Sequence, residues 1–353
     1  MPGPSQCGNP VGSQFVEFWR KEDPHKLASG HVFSCQDARR LFRNRYVVFI
    51  GDSIVRGFYK DFLAMLVTGK AAEPQYLGDS LVYATERKNL TGFMEVRQFM
   101  TDEHRVEFYF TTQLYDDQMQ KMIETFVPTA EHPSYMPPDY MFMNSCLWDL
   151  TWHYKHSQEQ VDKDHGYFYL YLENMNRLLQ QLKEVLPASS MFLWLAALPL
   201  DTHIRAGVMQ DAVKHKENGL RLSILEANYH IAQIVASYGF DVLDLHYYFR
   251  PLCTNFREHD GVHWNATANR HVTELIMTFV YDAIGEPLPE SVVAKLTSEP
   301  NWNQLDMPHM TESRALPEFA EPLANKFGQI ADLYFRERRD AEKQEWTQEF
   351  ADA

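Results

Sequence analysis

Ser53 stands in the stretch VVFIGDSIVRGFYKDF, residues 47–62, where an apolar run meets Gly-Asp-Ser and a helical pattern follows at once. A serine at such a junction sits at the lip of a sheet, beside the first turn of a helix. That turn offers unpaired backbone N–H groups and the positive end of a dipole, a setting that suits an oxyanion. A serine hydroxyl is a weak nucleophile at neutral pH and needs a base. Among the 15 histidines, His263 stands out, in REHDGVHWNATANRHVTELI, residues 257–276. Asp260 precedes it by three positions in a loop. A carboxylate there can accept Nδ1–H, fix the tautomer and leave Nε2 to take the serine proton. His259 lies ahead of the aspartate, outside this arrangement. Plainer readings exist for both stretches. Asp52 or Ser53 could simply cap the helix that begins near Ile54, and Asp260 could close an Asx-type turn beside an incidental histidine.

Asn144, in MFMNSCLWDL (residues 141–150), is a third candidate. Its side-chain amide could donate to a developing oxyanion; the alternative is a turn asparagine. His153 and His156, with His165, have the composition of a metal cluster, but their spacing is irregular. No metal and no organic cofactor is expected.

The candidates are about two hundred residues apart in sequence, so the fold must bring them together. YVVFI (46–50), VEFYF (106–110), YMFMN (140–144), MFLWLAAL (191–198) and FDVLDL (240–245) read as strands. Helical spacing follows from Ile54 to Leu66, over 167–186, over 217–238 with Gly239 closing it, and over 266–284. Such alternation predicts an α/β fold with a mostly parallel sheet covered by helices on both faces. In these sheets the ligand crevice lies outside the carboxyl ends of the strands. Ser53 follows the first of the strands and His263 the last, so both should open on one edge.

The 353 residues are 45% hydrophobic and 14% aromatic, enough for a sizeable core. A formal net charge of -15 argues against nucleic acid or an anionic membrane as a general partner. Four scattered cysteines without CxxC spacing form neither a disulfide framework nor a zinc site. No signal peptide is visible at MPGPSQCGNPVGSQ, and the most apolar run, MFLWLAALPL, is too short to span a bilayer. A cytoplasmic or nuclear location is therefore the expectation. Residues 1–34 read as an extension, 35–290 as the catalytic-type domain and 291–353 as a charged tail. Phe327, Ile330, Ala331, Tyr334 and Phe335 give that tail an apolar helical face, which could pack on the domain or take a protein partner.

Taken together, FIGDSIVR and DGVHWN resemble the serine and Asp-x-x-His blocks of the SGNH, or GDSL, hydrolase superfamily. EVRQF, NSCLWDL, FDVLDLHYYFR and DGVHWN, in that order, resemble the PC-esterase branch of it. The resemblance implies a three-layer α/β/α sandwich with a mostly parallel central sheet. It implies Ser53 as nucleophile, His263 as base and Asp260 as its orienter. The Ser53 backbone N–H and the Asn144 amide would be oxyanion donors. The family's second glycine block would fall at Gly92, with Gly78 competing. Arg56 completes a GDSxxR pattern and would lie near the acyl group, or else be an exposed helix arginine. The family's Gly-x-Asn-Asp block is replaced here by NSCLWD, so Asp149 or Trp148 competes with Asn144 for the site. The activity implied is hydrolysis of O-acyl esters, on small molecules or on modified glycans and glycoproteins. The alternatives are an O-acyltransferase using the same residues, or a binding protein with weak or no activity.

Overall fold

The computed structural model describes residues 32–70, 77–85, 93–153, 166–205, 214, 217–250 and 256–297. Gly92, His156, His165, the first 31 residues and the tail from 298 lie outside these.

Strand β1 runs Arg45–Gly51 and is buried from Tyr46 onward. Its unbroken apolar run reflects cover on both faces. Val47 and Phe49 join one core, and Tyr46, Val48 and Ile50 join the other. Parallel neighbours flank it: β4 (His104–Phe110) on one side and β5 (Tyr140–Met143) on the other. Beyond β5, the strands β6 (Met191–Leu195) and β7 (Asp241–Leu243) continue the parallel set. On the β4 side, β3 (Glu95–Met100) and β2 (Ser80–Ala84) add an antiparallel pair. The seven-stranded order is β2-β3-β4-β1-β5-β6-β7.

Helices cover both faces. One layer holds α1 (Cys35–Leu41), α2 (Ser53–Val67), α7 (Leu245–Phe249), α8 (Ala266–Ala283) and α9 (Glu290–Thr297). The other holds α3 (Asp117–Glu124), α4 (Leu147–Leu150), α5 (Gly166–Val185) and α6 (Glu217–Ser237). The result is the expected α/β/α sandwich with a mostly parallel sheet. Val32, Phe33 and Val292 are buried in the first core, which thus draws on residues at both ends of the described chain. Among the described residues, no helix is long and apolar enough to cross a membrane.

Helix α2, which begins at Ser53, and helix α8, which follows the His263 loop, are joined by a buried ion pair. Arg270 Nε donates to Asp61 Oδ2 at 2.8 Å, and both side chains are 0% exposed. Thr273 Oγ1 donates to the same oxygen at 2.7 Å, and the guanidinium also reaches the carbonyls of Gly69 and Lys70. Arg270→Ala leaves the Asp61 charge uncompensated in the core. It is expected to cost roughly 3–5 kcal/mol, read from the urea midpoint of the variant against the parent. Unchanged stability would mean that the pair is dispensable.

Candidate active site

The chain leaves β1 through a turn that only glycine can make. A Cβ on Gly51 would lie 2.4 Å from Val55 Cγ2 and 2.6 Å from the Asn144 carbonyl oxygen. The next residue, Asp52, caps α2: it is extended at φ -87 and its side chain accepts from the Ile54 N–H at 2.8 Å. The cap role thus falls to Asp52, and Ser53, the first helical residue, is free of it. Burial pushes the Asp52 carboxyl up from its ordinary value, against the backbone N–H groups of Ile54 and Val55.

His263 lies across from it. Its Nε2 is 2.7 Å from Ser53 Oγ, and its Nδ1 is 2.5 Å from Asp260 Oδ2. A carboxylate can only accept, so Nδ1 carries the hydrogen and Nε2 of the neutral ring accepts from the serine hydroxyl. Asp260 Oδ1 meanwhile accepts from the N–H groups of Val262 and His263, each at 2.9 Å. The Asx-type turn and the histidine partnership are therefore one arrangement, not alternatives. Burial raises the Asp260 carboxyl, but the bonds from His263 and the two N–H groups outweigh it and hold the acid below its ordinary value.

The loop after β6 braces this turn from outside. Asp201 N donates to the Gly261 carbonyl at 3.0 Å and Arg205 N to that of Asp260 at 2.8 Å. Arg257 Nη1 donates to Pro199 O at 2.6 Å and Gly261 O at 3.2 Å, with its guanidinium 4.5 Å from the Trp264 ring centre. Gly261 takes φ +79, and a Cβ there would lie 2.4 Å from the His203 carbonyl oxygen. Asn265 caps α8, accepting from Ala268 N.

Asn144 is buried just past β5. Its Nδ2 donates to Leu195 O at 2.6 Å and its backbone N–H to Ile50 O at 3.2 Å. One amide hydrogen is thus engaged by β6, while the backbone packs on Gly51 beneath the serine turn. Arg56 is neither free nor fully exposed: Nη1 donates to Glu95 Oε2 at 3.4 Å, and the guanidinium lies 5.3 Å from the Phe110 ring centre. Glu95 is shared with Arg97, which also grips Asp79. Gly78 stands elsewhere, against the Phe99 ring and on a cleft wall with Thr101 and His104, at the amino end of β4. The structure does not bring it to Ser53.

Two further features shape this edge, the first without a sequence signature and the second at a residue that the sequence offers as a competitor to Asn144. The first is the loop after β4, where Thr111 N donates to Gly51 O at 2.9 Å and Thr112 is buried. The second is Asp149, buried in α4, which accepts from Leu114 N at 3.0 Å and from the Ser145 hydroxyl. Burial, helped by the charge of Asp52, pushes the Asp149 acid up to about 7. Trp148 is partly buried against the second core. His153 sits 3.2 Å from Thr112 Oγ1. Among the described residues, no group of three or more His, Cys, Asp or Glu side chains could hold a metal ion.

The profile of the GDSL-like Lipase/Acylhydrolase family matches residues 47–276. Human PC-esterase domain-containing protein 1A is 33% identical over 321 residues, covering 86% of this chain and 66% of that protein. Human PC-esterase domain-containing protein 1B is 34% identical over 271 residues, covering 73% of this chain and 59% of that protein. The chain thus spans somewhat less than two thirds of these relatives' length. A crystal structure of an acetyl xylan esterase aligns with TM-score 0.40 and 17% identity, over 67% of this chain and 99% of that one. The chain belongs to the GDSL-like lipase/acylhydrolase family, and within it stands with the PC-esterase domain-containing proteins.

Proposed function

We propose that this chain is a serine esterase that hydrolyses O-acyl esters, with Ser53, His263 and Asp260 as its triad. The observation that carries the reading is the continuous relay from Ser53 Oγ to His263 Nε2 at 2.7 Å and from Nδ1 to Asp260 at 2.5 Å. Ser53 Oγ adds to the ester carbonyl while Nε2 takes its proton. The carbonyl oxygen becomes an oxyanion, stabilised by the first turn of α2, the Ser53 N–H and the second amide hydrogen of Asn144. The imidazolium, stabilised by the Asp260 carboxylate, returns the proton to the leaving alcohol. Water then attacks the acyl-serine with the same histidine as base, releasing the acid and restoring the serine. Arg56, held by Glu95 on the first turn of α2, would line the acyl side of the cleft. Acylated glycans are among the substrates that this reading admits.

A fluorophosphonate probe reports on activated serines, because it phosphonylates only a hydroxyl with a working base and oxyanion cradle. The intact chain should be labelled at Ser53 at neutral pH, and pre-labelling should abolish hydrolysis of p-nitrophenyl acetate. A folded chain that resists the probe and does not cleave the ester would refute the esterase reading.

A further inference from the structure

We propose that Asp149 is a positioning residue of this site: its buried carboxyl clamps the loop after β4 to the loop after β5, and so holds the Asn144 side of the oxyanion cradle in place beside Ser53. The proposal rests on the esterase reading above. Its basis is geometric. One carboxyl oxygen takes the Leu114 N–H at 3.0 Å, and the other takes the Ser145 hydroxyl. Leu114 belongs to the loop that begins by binding Gly51 O through Thr111. Ser145 directly follows Asn144, and its own carbonyl accepts the Tyr171 hydroxyl at 2.6 Å. The two loops leave the strands on either side of β1 and bracket its exit. Asp149 thus joins the walls on both sides of the serine turn.

Movement in this clamp has a direct path to the nucleophile. There is no slack at Gly51, where even a Cβ would overlap the Asn144 carbonyl. A shift of the 144–146 segment therefore displaces the turn that carries Asp52 and Ser53. Asn144 is itself anchored at its far side, by Nδ2 to Leu195 O. The clamp decides where its remaining amide hydrogen points.

The choice of residue also argues for a task beyond packing. A carboxyl buried to 7% exposure is costly to place. Here a second buried acid, Asp52, stands close enough to make ionisation harder still. Groups that strain local stability in this way gather at functional sites.

The test compares Asp149→Asn and Asp149→Ala with the parent full chain. Asparagine preserves shape and can still accept from the Leu114 N–H, but toward Ser145 it presents an N–H, so that bond must reverse and the charged acceptor is lost. It should leave the melting temperature within a few degrees and KM for p-nitrophenyl acetate within about twofold, while kcat falls roughly 10- to 100-fold. Alanine should lower kcat further. It should also speed amide exchange at least about tenfold at 111–114 and 144–146, with β1 and β6 unchanged. The proposal is overturned if exchange in both loops matches the parent, if kcat holds within twofold in both variants, or if kcat loss merely follows the unfolded fraction. Should the parent hydrolyse no ester, the esterase reading fails on its own, and the exchange measurement still decides the clamp.

Discussion

Ser53→Ala is expected to lower ester turnover by roughly 10⁵-fold or more, with the fold intact. The loss is large because the attacking hydroxyl itself is removed. The hydroxyl is the atom 2.7 Å from the base, and without it the relay ends at His263. Stability should barely move, within about 0.5 kcal/mol. The helix cap belongs to Asp52, not to Ser53, and alanine is a good residue for the first turn of a helix. His263→Ala should cost about as much, and the double variant little more, because nucleophile and base act as one unit. The check is kcat on a small acyl ester for the three variants, with thermal unfolding as the control for folding. Either single variant retaining more than a few percent of parental turnover would remove these residues from the mechanism.

That expectation was legible in the sequence because its parts are local. GDS marks a strand-to-helix turn and DGVH a four-residue loop, and each writes its geometry into adjacent positions. The parallel strands were legible for a similar reason: cover on both faces leaves an unbroken apolar run. β2 and β3 have no such run. All of β2 is exposed, and β3 mixes Arg97 and Gln98 with its apolar residues, since a sheet margin is not covered on both faces. Their edges also misled where burial outlasts pairing. The run MFLWLAAL reads as a strand to Leu198, yet β6 stops at Leu195. Ala196 to Leu198 stay buried, and Ala197 bonds to the Asn228 side chain instead of to a neighbouring strand. FDVLDL reads as a strand through Leu245, but Asp244 caps α7 and ends β7 at Leu243. The Asn144 side of this edge was hardest to read. NSCLWDL offers Asn144, Trp148 and Asp149 together, and the partners of Asp149, Leu114 and Ser145, are fixed by tertiary contact and not by any spacing.

Asp260→Asn separates the two jobs of this aspartate and is expected to lower kcat by about 10⁴-fold. The carboxylate serves the turn with one oxygen and the ring with the other. Asparagine keeps an acceptor for the Val262 and His263 N–H groups, so the loop should survive. Toward the ring it presents an amide N–H, which needs a lone pair on Nδ1 and drives the imidazole hydrogen to Nε2. A ring protonated at Nε2 cannot take the serine proton, and the developing imidazolium loses its counter-charge. KM should change little, because the loop and cleft remain. The same substitution has a signature in acid. The folded Asp260 carboxyl lies below its unfolded value of about 4. Its ionised form therefore contributes stability above that pH, and the contribution is lost as pH falls through the folded value. The parent's melting temperature should thus drop more steeply than that of Asp260→Asn below about pH 4. Parallel acid profiles would show that the carboxylate adds nothing to the turn. A kcat loss of only a few-fold would show that it does not set the tautomer, leaving the 2.5 Å contact without a catalytic role.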